Sequence, residues 1–211
     1  MAQTLNLAVL LSGSGRTLEN FQQWIAQGRL NARIAIVVSS KRAAYGLIRA
    51  QQHGLDAIAV PRMLYGSLEA FNDAINDVLA HYDIDLVVLA GFLSLYRPPA
   101  HLVGRVMNIH PALLPAFGGQ GLYGDHVHRA VIESGVKVSG CTVHFADEQY
   151  DQGPIILQKA VPVEDDDTVE TLAARVFAAE CEIYPKAIQL YAENRLEIKN
   201  KRVSIRPSTP C

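Results

Sequence analysis

The chain has 211 residues, of which 49% are hydrophobic and 19% charged, with 19 basic against 21 acidic side chains. This length favours one large domain whose core needs no disulfide or metal to hold it together. The near-neutral charge excludes a general polyanion binder, the apolar content excludes disorder, and no apolar run reaches the ~20 residues of a membrane span. Because Cys141, Cys181 and Cys211 lack CxxC spacing and no basic leader precedes residues 5–11, we expect free thiols and a cytoplasmic location.

The first half of the chain alternates strand-like and helix-like segments. Apolar, often β-branched runs predict strands at residues 5–11, 32–38, 57–60 and 84–90. Between them we expect one helix that carries Leu18 and Phe21 on its apolar face, one over residues 43–53, and one capped by Ser67. Strands and helices of these lengths form βαβ units, so the sequence predicts an α/β fold with a doubly wound, mostly parallel sheet.

The pattern changes after about residue 104. Further strands are expected at residues 105–109, 138–145 and 154–163, and a loop at 117–124 contains four glycines. Asp167 and Glu170 have capping-box spacing and start a long helix that Pro185 should kink. We expect a single domain, 1–211, that consists of two halves, 1–104 and 105–195, and a tail, 196–211, with the pattern of a hairpin.

A glycine loop, Ser-Gly-Ser-Gly-Arg-Thr at residues 12–17, follows the first predicted strand. Open parallel sheets bind ligands beyond the carboxyl ends of their strands, and a glycine loop at a helix N-terminus presents backbone N–H groups to an anion. Position 18 is leucine rather than glycine, and Gly-Lys-Ser/Thr is absent, so the pattern fits neither a dinucleotide nor a nucleoside triphosphate. The loop is either a site for a single phosphate or a tight structural turn.

Asn108 and His110 lie two residues apart at a predicted strand end, so both side chains project to one side. The amide can stabilise an oxyanion and the imidazole can move a proton near neutral pH, but a histidine that only caps the strand fits equally well. Asp151 is either a turn former or a carboxylate that raises the pKa of His110. Glu180 shares a helical face with Val176, so it points into a cleft or keeps its head in water.

Other polar clusters favour structural interpretations. His126, His128 and His144 lack acidic or cysteine partners at the spacing of zinc sites, and the first two mark the start of a surface helix. The acidic run at residues 164–167 lies at a helix N-terminus, where negative charge is stabilising in any case. The sequence therefore predicts no metal site.

Five segments resemble, in their order and spacing, the phosphoribosylglycinamide (glycinamide ribonucleotide) formyltransferases, a folate-dependent family. They are SGSG at 12–15, LAGF at 89–92, NIHPALLP at 108–115, GCTVHF at 140–145 and DQGPIILQ at 151–158. The resemblance extends from about residue 5 to residue 196, and the Asn-Ile-His-Pro block with its downstream Asp-x-Gly-Pro is specific to folate-dependent formyl transfer. It implies a formyltransferase-like, Rossmann-related fold with three layers.

The resemblance implies transfer of a formyl group from 10-formyltetrahydrofolate to the amine of glycinamide ribonucleotide, a step of purine biosynthesis, without a metal. Asn108 would bind the formyl oxygen, and His110 would act as a general acid. Asp151 would sustain the charged imidazole and relay protons through water, and Glu180 would meet the glycinamide end. The residues implied for the substrate phosphate are Gly13, Gly15, Arg16 and Thr17. Those implied for folate are Gly91, Phe92, Leu93, Ser94, Leu95, Tyr96, Asn108, Ala146, Asp147 and Glu148.

Several positions depart from the family pattern, namely Arg16-Thr17, Leu68, Ser94 and the longer loop at 118–125. They leave open a second hypothesis, in which the formyl group passes to another amine or to water. A third hypothesis is a non-catalytic sensor of nucleotide phosphates that has the same sheet but no turnover. The glycines of the loop suit a lid, but a plain insertion fits equally well. The expected partners are these small molecules, with no nucleic acid or membrane, and we expect a monomer or a homodimer.

Overall fold

The structure, a computed structural model, describes residues 4–207, so Cys211 and the end of the predicted tail lie outside the described residues. Contacts within the chain define two compact units, one up to Asn108 and the other from Ile109 onward. This boundary falls close to residue 104, where the sequence pattern changes, and the single domain stays a prediction. Among the described residues, no helix combines the length and the apolar composition that crossing a membrane requires.

The first unit is a parallel sheet with helices between its strands. Its strands are β1 Leu5–Leu11, β2 Ala32–Ser39, β3 Ala57–Ala59, β4 Leu86–Leu89 and β5 Val106–His110, which continues across the unit boundary. Its helices are α1 Arg16–Ala26, α2 Tyr45–Gln52 and α3 Leu68–Leu79, with short 3-10 turns at Arg62–Leu64 and Ala100–Leu102. The strand order is β3-β2-β1-β4-β5, and every neighbouring pair is parallel, as the alternating pattern predicts.

Burial explains why these segments form the elements that they do. Every residue of β1 and β4 is buried, because strands in the middle of a parallel sheet are covered on both faces. α1 buries Leu18 and Phe21 on its apolar stripe. α3 begins where the sequence predicts, since Oγ of Ser67 accepts a hydrogen bond of 3.0 Å from the Ala70 amide.

The second unit combines mixed strand pairs with the longest helix of the described chain. Its strands are β6 Val138–Phe145, β7 Ile155–Pro162, β8 Leu196–Lys199 and β9 Arg202–Ile205, and its helices are α4 Asp125–Glu133 and α5 Val169–Ala192. β6 and β7 are antiparallel, β7 and β9 are parallel, and β8 and β9 form an antiparallel hairpin where the sequence indicates one. α5 packs against β6, β7 and α4.

One detail of α5 differs from the sequence prediction. Its N-cap is Thr168, which forms a capping box with Thr171, rather than Asp167. The Asp167 carboxylate instead accepts hydrogen bonds from Arg175 and Thr171, and therefore ties the helix entry to its second turn. The helix continues through Pro185 as one element of 24 residues, with buried residues on both sides of the proline, and the kink expected there stays a prediction.

We expect Gly153→Ala to destabilise the second unit. A Cβ at Gly153 would overlap the backbone oxygen of Phe145, and both segments are fixed because the Phe145 amide donates to Pro154 at 2.9 Å. Overpacking costs ~1–3 kcal/mol or more, which urea unfolding followed by circular dichroism measures. The control is Gly66→Ala, whose Cβ meets no atom within 4 Å and whose unfolding midpoint should stay near that of the wild type. An unchanged midpoint for Gly153→Ala would contradict this close packing.

Candidate functional site

In the first unit, hydrogen bonds around Ser12 join the loops that follow three parallel strands. The Ser12 amide donates to the Gly91 carbonyl at 3.0 Å, and its hydroxyl accepts from the Leu93 amide at 2.9 Å. The same hydroxyl lies 2.6 Å from the hydroxyl of Ser40, which follows β2. The loops after β1, β2 and β4 therefore meet at the carboxyl edge of the sheet, where open parallel sheets bind ligands.

The glycine loop, residues 12–17, ends in the first turn of α1. Gly15 is the N-cap, with a φ of 74°, a left-handed conformation that glycine adopts without strain. It packs closely on α2, since a Cβ on Gly15 would lie 2.6 Å from Cα of Gly46. Gly13 and Arg16 are exposed, and Thr17 is half-buried. Because the first turn of a helix leaves amides without helical partners, this loop can bind an anion.

On β5, Asn108 is half-buried and His110 is buried, and their spacing puts both side chains on one side of the strand. The His110 ring has an acceptor beside each nitrogen. Nε2 lies 2.8 Å from the backbone oxygen of Phe117, and Nδ1 lies 3.5 Å from Oδ2 of Asp151. A neutral imidazole donates from only one nitrogen, so these two acceptors orient the ring and favour its protonated form.

Several groups hold the Asp151 carboxylate. Oδ2 accepts a hydrogen bond of 2.9 Å from the Gly119 amide, and Oδ1 lies 3.7 Å from Nε2 of His144 on β6. Asp151 has a φ of 57°, which is uncommon for a residue other than glycine and is sustained by these contacts. Since the side chain is only 9% exposed, the loss of a partner would leave a buried charge poorly compensated.

Burial and charge act in opposite directions on the pKa values of this pair. Burial lowers the pKa of His110 and outweighs the Asp151 carboxylate and the Phe117 carbonyl, which both raise it. For Asp151, burial acts to raise the pKa, but the hydrogen bond from His144, the charge of His110 and the Gly119 amide together lower it. Asp151 therefore raises the pKa of His110, as expected. The net shift of the His110 pKa is nevertheless downward, because the ring is so deeply buried.

The segment 117–119 contacts both members of this pair, through the Phe117 oxygen and the Gly119 amide. Position 118 has little room for a side chain, because a Cβ there would meet Cδ2 of Leu114 and lie 3.3 Å from Cβ of Asp151. Sequence reasoning missed Phe117 and Gly119 as site residues, since they act through backbone atoms. It considered His144 as a zinc candidate and included it in the GCTVHF segment of the resemblance, but neither identified it as a neighbour of Asp151.

The candidates for folate contact in the first unit differ in exposure. Those that are exposed or half-buried are Gly91, Phe92, Leu93, Ser94 and Leu95. Tyr96 is only 1% exposed, and its hydroxyl donates to Oδ1 of Asn76 at 2.8 Å. This burial raises the pKa of Tyr96 and places its ring in the core of this unit, while a contact of residue 96 with folate stays a prediction.

The candidates in the second unit lie after β6 and on α5. Ala146 and Asp147 are half-buried, and Glu148 is exposed. Glu180 is half-buried. The pKa of the Cys141 thiol is raised to about 12, firstly by burial of the thiol and secondly by the charge of the Glu180 carboxylate. Glu180 therefore lies near β6, which agrees with the inward position that its helical spacing allows.

The histidines considered for zinc have different environments. His126 is exposed at the start of α4, whereas His128 is buried, and the surface position expected for both is therefore wrong for His128. Burial lowers the pKa of His128. Within residues 4–207, no three or more His, Cys, Asp or Glu side chains are grouped as metal ligands would be.

Comparison with known proteins adds a family to this geometry. The sequence profile of a family described as formyl transferase matches residues 5–188. The chain belongs to the formyl transferase family. Phosphoribosylglycinamide formyltransferase of Escherichia coli (strain K12) is 36% identical over 196 residues, which cover 92% of this chain and 90% of that protein. The crystal structure of glycinamide ribonucleotide transformylase 1 from Symbiobacterium toebii gives a TM-score of 0.91 at 45% identity and covers 98% of this chain and 96% of that one.

Some relatives are much longer. The trifunctional purine biosynthetic protein adenosine-3 of Bos taurus is 42% identical over 200 residues, and the match covers 93% of this chain but only 19% of that protein. The chain thus spans about a fifth of the length of such a relative. The α/β class with a mostly parallel sheet, predicted from the alternation of elements, is confirmed by the Symbiobacterium toebii structure.

We expect Asp151→Asn to lower the pKa of His110 further. The substitution keeps the size of the side chain but removes the charge that favours imidazolium, while the burial that lowers the pKa remains. An NMR titration of the His110 ring protons measures this shift. Asp165→Asn removes a carboxylate that is 91% exposed and serves as the control, with no change in the His110 titration expected. A higher His110 pKa in Asp151→Asn would show that the pair is not coupled in this way.

Proposed function

We propose that the protein transfers the formyl group of 10-formyltetrahydrofolate to the amine of glycinamide ribonucleotide, a step of purine biosynthesis. The activities named for its relatives support this proposal. The observation that carries it is the buried pair of His110 and Asp151, because it supplies the proton transfer that this reaction needs.

The reaction forms a bond from the amine nitrogen to the formyl carbon and breaks the bond from that carbon to N10 of the folate. Attack by the amine moves an electron pair onto the formyl oxygen and produces a tetrahedral oxyanion. Collapse of this intermediate expels N10, which gains a proton, while the attacking nitrogen loses one. One oxyanion donor and one proton carrier are therefore sufficient, and the protons balance without a further reagent.

In this proposal, the Asn108 amide donates to the oxyanion and His110 carries the proton. Because burial lowers the pKa of His110, the ring starts neutral and accepts the proton of the attacking amine. The imidazolium then returns this proton to the leaving N10, as a general acid. Asp151 stabilises the imidazolium while it exists and relays protons to water.

Nε2 of His110 is the nitrogen that faces the reacting atoms in this mechanism. Nδ1 faces the buried Asp151 carboxylate, whereas Nε2 contacts the backbone oxygen of Phe117. Phe117 is half-buried, has a φ of 54°, and is followed by two glycines, so its carbonyl is the partner that yields most easily. Substrate binding exchanges this carbonyl for the reacting atoms, and the loop at 118–125 acts as a lid.

The substrate-binding assignments follow the family pattern. Gly13, Gly15, Arg16 and Thr17 bind the phosphate, and the Arg16 guanidinium suits a phosphate where the family usually has serine. Glu180 meets the glycinamide end, where N–H groups can pair with its carboxylate. The loop after β4 and residues 146–148 bind folate. We further propose that the reaction uses no metal, and that the protein is a cytoplasmic monomer or homodimer.

A transfer assay tests the proposed reaction. The purified protein is incubated with 10-formyltetrahydrofolate and glycinamide ribonucleotide in the presence of a chelator, and both products are followed. Equal rates of tetrahydrofolate release and formylated ribonucleotide formation support the proposal. Release of formate, or transfer only to another amine such as an amino sugar, would overturn the acceptor. Binding of the ribonucleotide without turnover would overturn the catalytic assignment.

We expect His110→Ala to reduce kcat by about 10²–10⁴, the usual contribution of a general acid or base. Asn108→Ala should reduce kcat by about 10²–10³, as expected for the loss of one oxyanion donor. Steady-state kinetics with both substrates measures these losses. His81→Ala is the control, because His81 is exposed and its Nδ1 lies 2.8 Å from the Asp77 carbonyl oxygen on α3, so the ring belongs to neither member of the proposed pair. Full activity of His110→Ala would end the proposed mechanism.

Two glycines of the loop offer a matched pair of variants. Gly119 and Gly121 have φ values of 102° and 91°, and a Cβ on either meets no atom within 4 Å. Alanine therefore introduces similar backbone strain at both positions, about 1–2 kcal/mol. Only at position 119 does this strain act on an amide that donates to Asp151. We expect kcat/KM to fall about tenfold in Gly119→Ala and to stay near the wild-type value in Gly121→Ala. Equal losses would mean that the loop affects activity only through its general flexibility.

A further inference from the structure

α2 supports the glycine loop along one side. The Gly46 amide donates to the Gly13 carbonyl at 3.0 Å, and Nε of Arg49 donates to the Ser14 carbonyl at 3.0 Å. Gly46 also packs against Gly15, where a Cβ would lie 2.6 Å from the Gly46 Cα and 3.4 Å from Cδ of Arg49. Three consecutive loop residues thus contact the same helix.

The two carbonyl contacts also fix two amides. A trans peptide is planar, with its C=O and N–H directed to opposite sides. The Gly13 carbonyl faces α2, so the Ser14 amide of the same peptide points away from α2. The Ser14 carbonyl accepts from Arg49, so the Gly15 amide also points away from α2. These amides are added to the first-turn amides of α1 as donors for an anion.

Arg49 is itself held in place. Its Nη1 lies 3.1 Å from Oε2 of Glu19, and its Cζ lies 5.2 Å from the ring centroid of Tyr45. Glu19 also lies 3.2 Å from Nε2 of His53, and the hydrogen bonds from His53 and Arg49 lower its pKa. Since the Glu19 charge compensates the guanidinium, Arg49 acts through N–H groups that point in two fixed directions and not through net charge.

We propose that Arg49 is a positioning residue for phosphate recognition, which holds the Ser14–Gly15 peptide so that the Gly15 amide faces the substrate phosphate. This inference rests on the phosphate assignment in the proposed function. Arg49 acts through the loop and touches no substrate atom. Its loss therefore weakens binding in the ground state and the transition state alike, which raises KM and leaves kcat unchanged.

The test is the steady-state kinetics of Arg49→Gln and Arg49→Lys. We expect KM for glycinamide ribonucleotide to rise about tenfold in both variants, while kcat and KM for the folate stay within about twofold. Inorganic phosphate, used as a competitive inhibitor against the ribonucleotide, should weaken by the same factor. Lysine cannot serve Ser14 and Glu19 with a planar fork, so full recovery in Arg49→Lys would overturn the positioning role. A loss of kcat without a rise in KM would also overturn it.

Two further variants complete the experiment. Arg29→Gln is the matched control, because the Arg29 guanidinium lies 3.7 Å from the Trp24 ring centroid and contacts Gln27, beyond the other end of α1. The KM of Arg29→Gln for glycinamide ribonucleotide should not change.

Arg16→Gln tests the phosphate assignment separately from the role of Arg49. If the KM for glycinamide ribonucleotide rises in Arg16→Gln but is unchanged in both Arg49 variants, only the role of Arg49 is overturned. An unchanged KM in Arg16→Gln, with no inhibition of the wild type by phosphate, overturns the phosphate assignment and the Arg49 role together. Thermal unfolding checks each variant, and Arg49→Lys carries the test if Arg49→Gln does not fold.

Discussion

The proposed chemistry of this protein depends on one buried interaction, the contact of the His110 imidazole with the Asp151 carboxylate. A charge at this depth requires partners, and the second unit provides them from its backbone and from β6. Thr142 on β6 holds the chain between β5 and the segment 117–119. Its hydroxyl accepts from the Leu114 amide at 3.0 Å and donates to the Ala112 carbonyl at 2.7 Å. These two hydrogen bonds fix the chain after β5, so that the Phe117 carbonyl can reach the His110 imidazole.

Backbone groups do much of the work in both units. In the second unit a carbonyl and an amide of the segment 117–119 contact His110 and Asp151, respectively. In the first unit α2 holds the peptides near Gly15 through Gly46 and Arg49, and the amides there are the groups proposed to bind an anion. Glycines therefore occur at both places, because close approach and left-handed φ values leave no room for a side chain. A chain with nearly balanced charge can bind anions with such local groups.

Much of the fold followed from the sequence, and the failures have physical causes. The buried runs of β1 and β4 and the Ser67 cap were predictable, because each depends on residues close together in the chain. The cap of α5 was predicted one residue early, since Asp167 and Thr168 are both good caps and Arg175 decides between them by binding Asp167. Packing also decided that the ring of Tyr96 lies in the core, which its position in a loop motif did not reveal.

The sequence by itself determined the α/β class and identified Asn108, His110 and Asp151 as candidates for the chemistry, because periodicity and short motifs are local properties of the chain. Only the tertiary structure decided the environment of these residues. It showed that burial outweighs the carboxylate in setting the pKa of His110, and that Phe117 and Gly119 contribute backbone atoms to the pair. Burial and backbone contacts between distant segments exist only after the chain has folded, so no pattern of residue types contains them.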